Sequence, residues 1–199
     1  MDSVDELLSK LTELGFFKFA PPENMEQIIQ LIREDIGEKI SDDYIDWDLY
    51  SDSENDSMIP LDRRIYWADA KDLWKTGVCG FIDDIKPVLE LEGVKIESLR
   101  DEVQRVGERG FIYSVWVNGQ LYLIGDHTLA HPACVAHKKT LEIINDLLAA
   151  AGSQERAYGQ YFYNEAKISL LTDELYEFIQ SLPLPEVARP YRSETMNCQ

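Results

Sequence analysis

Asn118-Gly119 separates two apolar and aromatic runs, Phe111 to Val117 and Gln120 to Ile124. Both central residues of a type I′ turn need positive φ. Asparagine and glycine accept it at little cost, and such a turn joins antiparallel strands. The middle of the chain is therefore committed to antiparallel pairing. Tyr158 to Tyr163 and Ala166 to Leu171, turning at Asn164-Glu165, predict a second hairpin.

Helical spacing surrounds these hairpins. Val4, Leu7, Leu8, Leu11 and Leu14 repeat along residues 3–15, with Ser3 as a cap and Gly15 as a stop. A second stripe, Met25, Ile28, Ile29, Ile32 and Ile36, ends at Gly37. A short strand is expected over 64–68. A helix over 71–92 follows, broken near Gly77 to Gly80 and kinked at Pro87, and then a brief strand at Val94 to Ile96. Pro132 opens a helix to about Ala151, and Thr172 caps a last one to Ser181. This pattern is too irregular for βαβ winding. It predicts an α+β fold: an antiparallel sheet built from at least two hairpins (about 111–124 and 158–171) with helices packed on it. A chain of 199 residues suits one domain over 1–183, with 184–199 as an extended C-terminal tail.

Charge narrows the function classes. Thirty-seven acids against nineteen bases give a formal net charge of −18, which repels nucleic acid phosphates and anionic membrane surfaces. Residues 1–59 hold sixteen acids and four bases, so two-thirds of the excess precedes residue 60. Within it, 41–57 has seven acids, no Lys or Arg, and Tyr44, Trp47 and Tyr50 at every third position. Aromatics set among carboxylates suit a protein interface: the rings anchor, while the acids steer and pair with basic residues. The candidate partner-binding residues are Asp42, Asp43, Tyr44, Asp46, Trp47, Asp48 and Tyr50. The competing reading is a solvated loop whose aromatics pack back onto the domain.

The second candidate is His127, His131, Cys134 and His137, which gathers every histidine of the chain within eleven residues. Imidazole and thiolate are good zinc ligands, and Cys134 and His137 lie one helical turn apart. The spacing matches no common zinc motif, however. The apolar stripe of the helix reaches back to Cys134, which makes it a small core residue. A nucleophilic Cys134 beside a histidine is a weaker reading, because no orienting group or oxyanion site accompanies it. Asp52, Glu54 and Asp56 alternate as calcium ligands do. Ser57 stands where the loop needs glycine, and Arg63 where it needs a bidentate glutamate, so an EF-hand is excluded. The phosphate-loop, dinucleotide, nucleophile-elbow and HExxH patterns are absent.

Three cysteines, Cys79, Cys134 and Cys198, read as reduced thiols rather than as a disulfide framework. The first residues show no basic stretch followed by an apolar run, and no segment approaches the ~18–20 apolar residues of a membrane span. A cytoplasmic location is expected, with no cofactor unless zinc binds the His/Cys cluster. The expected function is an acidic inhibitor of a basic protein partner, as a bacterial immunity protein is towards a nuclease-type toxin. The alternatives are a metal-dependent or thiol enzyme built on His127, His131, Cys134 and His137, and a DNA mimic. The concentration of charge in one segment speaks against the DNA mimic.

Overall fold

A computed structural model describes residues 3–36, 60–108, 110–162, 165–184, 186 and 189–198. The element order is α1 (Val4–Glu13), α2 (Met25–Ile36), β1 (Ile65–Trp67), α3 (Ala70–Asp72), α4 (Val78–Leu91), β2 (Leu99–Val106), β3 (Gly110–Val117), β4 (Gln120–Asp126), α5 (Pro132–Ala150), β5 (Glu155–Phe162), β6 (Glu165–Thr172) and α6 (Asp173–Ser181). The fold is α+β, as expected. Its two hairpins lie in separate antiparallel sheets, one ordered β1-β6-β5 and the other β2-β3-β4.

Asn118 explains more than the turn. Its φ is +49° and that of Gly119 is +80°, as a type I′ turn requires. Its side chain then reaches back across the sheet. Oδ1 accepts from the amides of Glu97 (2.7 Å) and Ser98 (3.2 Å), and Nδ2 donates to the Lys95 carbonyl at 2.6 Å. These bonds hold 95–98 as a connecting loop, where a strand over Val94 to Ile96 was expected, and extended pairing starts at Leu99. Asn118→Ala is expected to lower stability by about 2 kcal/mol in urea denaturation, from three lost hydrogen bonds and a residue that resists positive φ.

The helices follow their caps. Ser3 Oγ accepts from the Glu6 amide, and Thr172 Oγ1 from that of Leu175. The expected break in the helix over 71–92 falls at Lys75 and Thr76, which have non-helical dihedrals, and the helix resumes at Val78. The phenol of Tyr113 on β3 pins that restart. It accepts from the Val78 amide at 3.3 Å and donates to Asp101 Oδ1 at 2.5 Å.

The β1-β6-β5 sheet is covered on both faces. Tyr66, Ala157, Ile168 and Leu170 enter one core with α4, α5 and the inner face of the other sheet. Ile65, Tyr158 and Leu171 enter a second core with α1, α2 and α6. Arg64 crosses this second region. It is 0 % exposed, and its guanidinium donates to Phe16 O (2.6 Å), Gly15 O (2.9 Å), Leu170 O and both carboxylate oxygens of Glu155 (2.8 and 3.2 Å). All five N–H donors of the side chain are used, so one cation ties the turn after α1 to β5 and β6.

Candidate functional site

The acidic candidates Asp42, Asp43, Tyr44, Asp46, Trp47, Asp48 and Tyr50 lie outside the described residues. The His/Cys candidates are described, and they do not converge. His127 is exposed in the turn after β4, with Nδ1 3.3 Å from the Phe111 carbonyl. His131 is the N-cap residue of α5 and makes no side-chain capping bond. His137 is drawn inward and fully buried, its Nδ1 3.2 Å from the Tyr191 hydroxyl. Burial lowers its pKa to about 4, against a smaller opposing effect of a hydrogen bond with the Lys167 backbone. Among the described residues no group of three or more His, Cys, Asp or Glu side chains could hold a metal ion.

The cysteines correct the sequence reading. Cys134 and Cys198 form a disulfide with Cα atoms 5.7 Å apart, across 64 residues of sequence. Only Cys79 is free, and it is buried. The sulfur offered above as a zinc ligand or nucleophile is therefore bonded to the C-terminal segment, in place of the reduced thiol expected. A pair so distant in sequence has no local signature, which is why counting cysteines missed it.

The disulfide lies in the wall of a cleft of about 1090 Å³ between the start of α5, one side of α6 and residues 189–198. His131, Tyr176, Gln180, Tyr191 and both half-cystines line it. Residues 190–192 are bound firmly beside it. Tyr191 pairs with Gly159 through two backbone hydrogen bonds of 2.9 and 2.7 Å. Gln180 donates to the Pro190 carbonyl at 2.6 Å, and Arg192 meets Asp173 at 3.1 Å. Position 159 must be glycine for this, because a Cβ there would lie 2.4 Å from the Tyr191 ring. Further on, Lys138 donates to the Met196 carbonyl at 3.2 Å.

A second feature is the outer face of the β2-β3-β4 sheet. Trp116 pairs with Leu121, and Ser114 with Leu123, so these side chains share the face opposite Tyr113 and Val115. Leu121 is 51 % exposed and Leu123 57 %. The Trp116 indole donates to Glu102 at 2.6 Å, and the Arg100 guanidinium lies 5.0 Å from its ring. Exposed leucines beside an indole, rimmed by polar groups, form the kind of patch that marks an interaction site. The sequence carried a signal for it: the run Leu121-Tyr122-Leu123-Ile124 is apolar or aromatic at outward positions as well as inward ones.

Elsewhere on the surface many cations are engaged by acids. Arg33 meets Asp5 (2.6 Å), Lys18 meets Glu92 (2.5 Å), Lys139 meets Glu142 (2.6 Å), and Arg192 also approaches Glu177 (3.7 Å). Such exposed pairs add little stability. Each pair neutralises one cation with one acid, so the net charge of −18 is unchanged and the acidic excess sets the surface potential. No protein-family model, curated protein or solved structure matches the chain.

Proposed function

We propose that the chain is an acidic protein-binding protein that inhibits a basic partner, in the manner of a bacterial immunity protein towards a nuclease-type toxin. The observation that carries the reading is the net charge of −18 on a molecule many of whose exposed cations are ion-paired. Such a surface attracts a basic protein at long range and raises its association rate. Asp42, Asp43, Tyr44, Asp46, Trp47, Asp48 and Tyr50 supply the acidic contacts, and Trp116, Leu121 and Leu123 the apolar anchor. A partner that offers both basic residues and an apolar patch fits both.

Two observations weigh against the enzyme alternative: Cys134 is held in a disulfide, and His137 is turned into the core. The described helices include none long and apolar enough to cross a membrane. A cytoplasmic location belongs to the proposal, and reducing thiols there would act to open the disulfide.

Purification from the native host at about 0.05 M salt is expected to recover a basic protein, which about 0.5 M salt releases. A recovered set without a basic protein counts against the reading. With the partner in hand, L121S/L123S is expected to speed dissociation while leaving the salt dependence unchanged. Neutralising the acids of 42–48 should slow association and flatten that dependence.

A further inference from the structure

The Cys134–Cys198 disulfide sits where it does more than staple a core. Cys134 is in the first turn of α5, and Cys198 is the last described residue. Both are partly exposed and line the cleft. A solvent reductant therefore reaches the bond. Cys79 provides a contrast within the same chain. It is 8 % exposed, and burial with Asp101 close by pushes its thiol up to about 12. That side chain is poorly placed for exchange.

The C-terminal segment is held in two different ways. Residues 190–192 are fixed by the Tyr191–Gly159 pairing, the Gln180–Pro190 hydrogen bond and the Arg192–Asp173 ion pair. Residues 193–198 make a single 3-10 turn, Ser193–Thr195, with Ser193 buried and Met196 packed against the main core, followed by the Lys138–Met196 hydrogen bond and the disulfide. Thr195, Met196 and Asn197 form part of the cleft wall. Opening the disulfide removes the covalent tie of the second part and leaves the first in place.

We propose that Cys134 and Cys198 are a reversible redox site that latches residues 193–198 to the start of α5 as one wall of the cleft, closed as the disulfide and open as two thiols. The reductant is a dithiol. Its thiolate attacks Cys198 Sγ, the S–S bond breaks, and Cys134 leaves as a thiolate at the positive end of α5. The second thiol of the reductant then displaces Cys198 from the mixed disulfide. Two electrons and two protons pass to the protein, and the reductant leaves as its own disulfide. Air or a disulfide oxidant reverses the change.

The test uses the whole chain, oxidised or treated with dithiothreitol, followed by iodoacetamide labelling and amide hydrogen exchange. Reduction is expected to admit two alkyl groups, at Cys134 and Cys198, with Cys79 labelled only after denaturation. Exchange should quicken about tenfold in peptides covering 130–136 and 193–198 while the two hairpins keep their protection. Reoxidation should restore the slow rates, and C198S should exchange at the reduced rate with or without dithiothreitol. Three results would each overturn the proposal. One is a purified chain with three free thiols that mild oxidation fails to pair. Another is unchanged exchange on reduction. The third is reduction that exposes Cys79 and melts the hairpins, because the bond is then a structural staple.

Discussion

Glu155→Ala is expected to cost about 3–5 kcal/mol in urea denaturation, the usual range when one partner of a buried ion pair is removed. The Arg64 side chain is 0 % exposed and that of Glu155 1 %, so neither charge has water to fall back on. Without the carboxylate, the guanidinium keeps its bonds to the Gly15, Phe16 and Leu170 carbonyls but loses both charge-assisted ones. Lys18, 3.7 Å from Glu155 and 2.5 Å from Glu92, would then face an unbalanced cation. Glu155→Gln restores one acceptor and should recover part of the loss. An Arg64→Met, Glu155→Leu double variant should recover more, because two apolar side chains leave no charge stranded. A double variant as unstable as Glu155→Ala would show that the carbonyl bonds of Arg64, and not its charge balance, hold this junction.

That ion pair also marks what a sequence reading reaches. Arg64 and Glu155 are 91 residues apart, and nothing in their neighbourhoods points one to the other. The hairpins, the caps Ser3 and Thr172 and the stop at Gly15 were legible because each is a local event: a turn needing positive φ, or a hydroxyl reaching an amide three residues on. β2 was not legible. Five of its eight residues, Arg100, Asp101, Glu102, Gln104 and Arg105, are charged or amide side chains, so the run carries no apolar alternation. It is an edge strand, held by β3 alone, and charges at an edge discourage pairing with other chains.

The candidate site divides along the same line. The charge imbalance is a property of composition and was read directly. The apolar face of Trp116, Leu121 and Leu123 depends on the β3–β4 register, which the Asn-Gly turn sets, so it was within reach. The cleft wall was not. It needs Cys198 brought to Cys134 and Tyr191 brought to Gly159, across separations that propensity and periodicity do not see.

Stability is expected to change little between about pH 6.5 and pH 4 on account of the two buried groups with the largest opposing perturbations, Asp62 and His137. Asp62 is fully buried, and its Oδ2 has no hydrogen-bond partner among the described residues. Desolvation raises its pKa from 3.8 to about 6, although Oδ1 accepts from the Arg64 and Ile65 amides. Its neutral form is the one the fold prefers. The stability this contributes is complete below 3.8 and is lost as pH rises through about 6. His137 runs the other way: with its pKa lowered from 6.5 to about 4, it contributes above 6.5 and loses that contribution as pH falls through about 4. Each shift corresponds to about 3 kcal/mol. Acidification from pH 7 to pH 4 therefore adds one contribution while removing the other. Single variants should separate them. Asp62→Asn keeps an acceptor for the two amides and leaves only the His137 dependence, so its stability should fall by about 3 kcal/mol on acidification, relative to the parent chain. His137→Gln leaves only the Asp62 dependence and should gain by a similar amount. The remaining carboxylates titrate alike in all three proteins, so urea midpoints compared at the two pH values isolate these groups. Parallel pH profiles for all three chains would mean that neither group is held in the protonation state its burial demands.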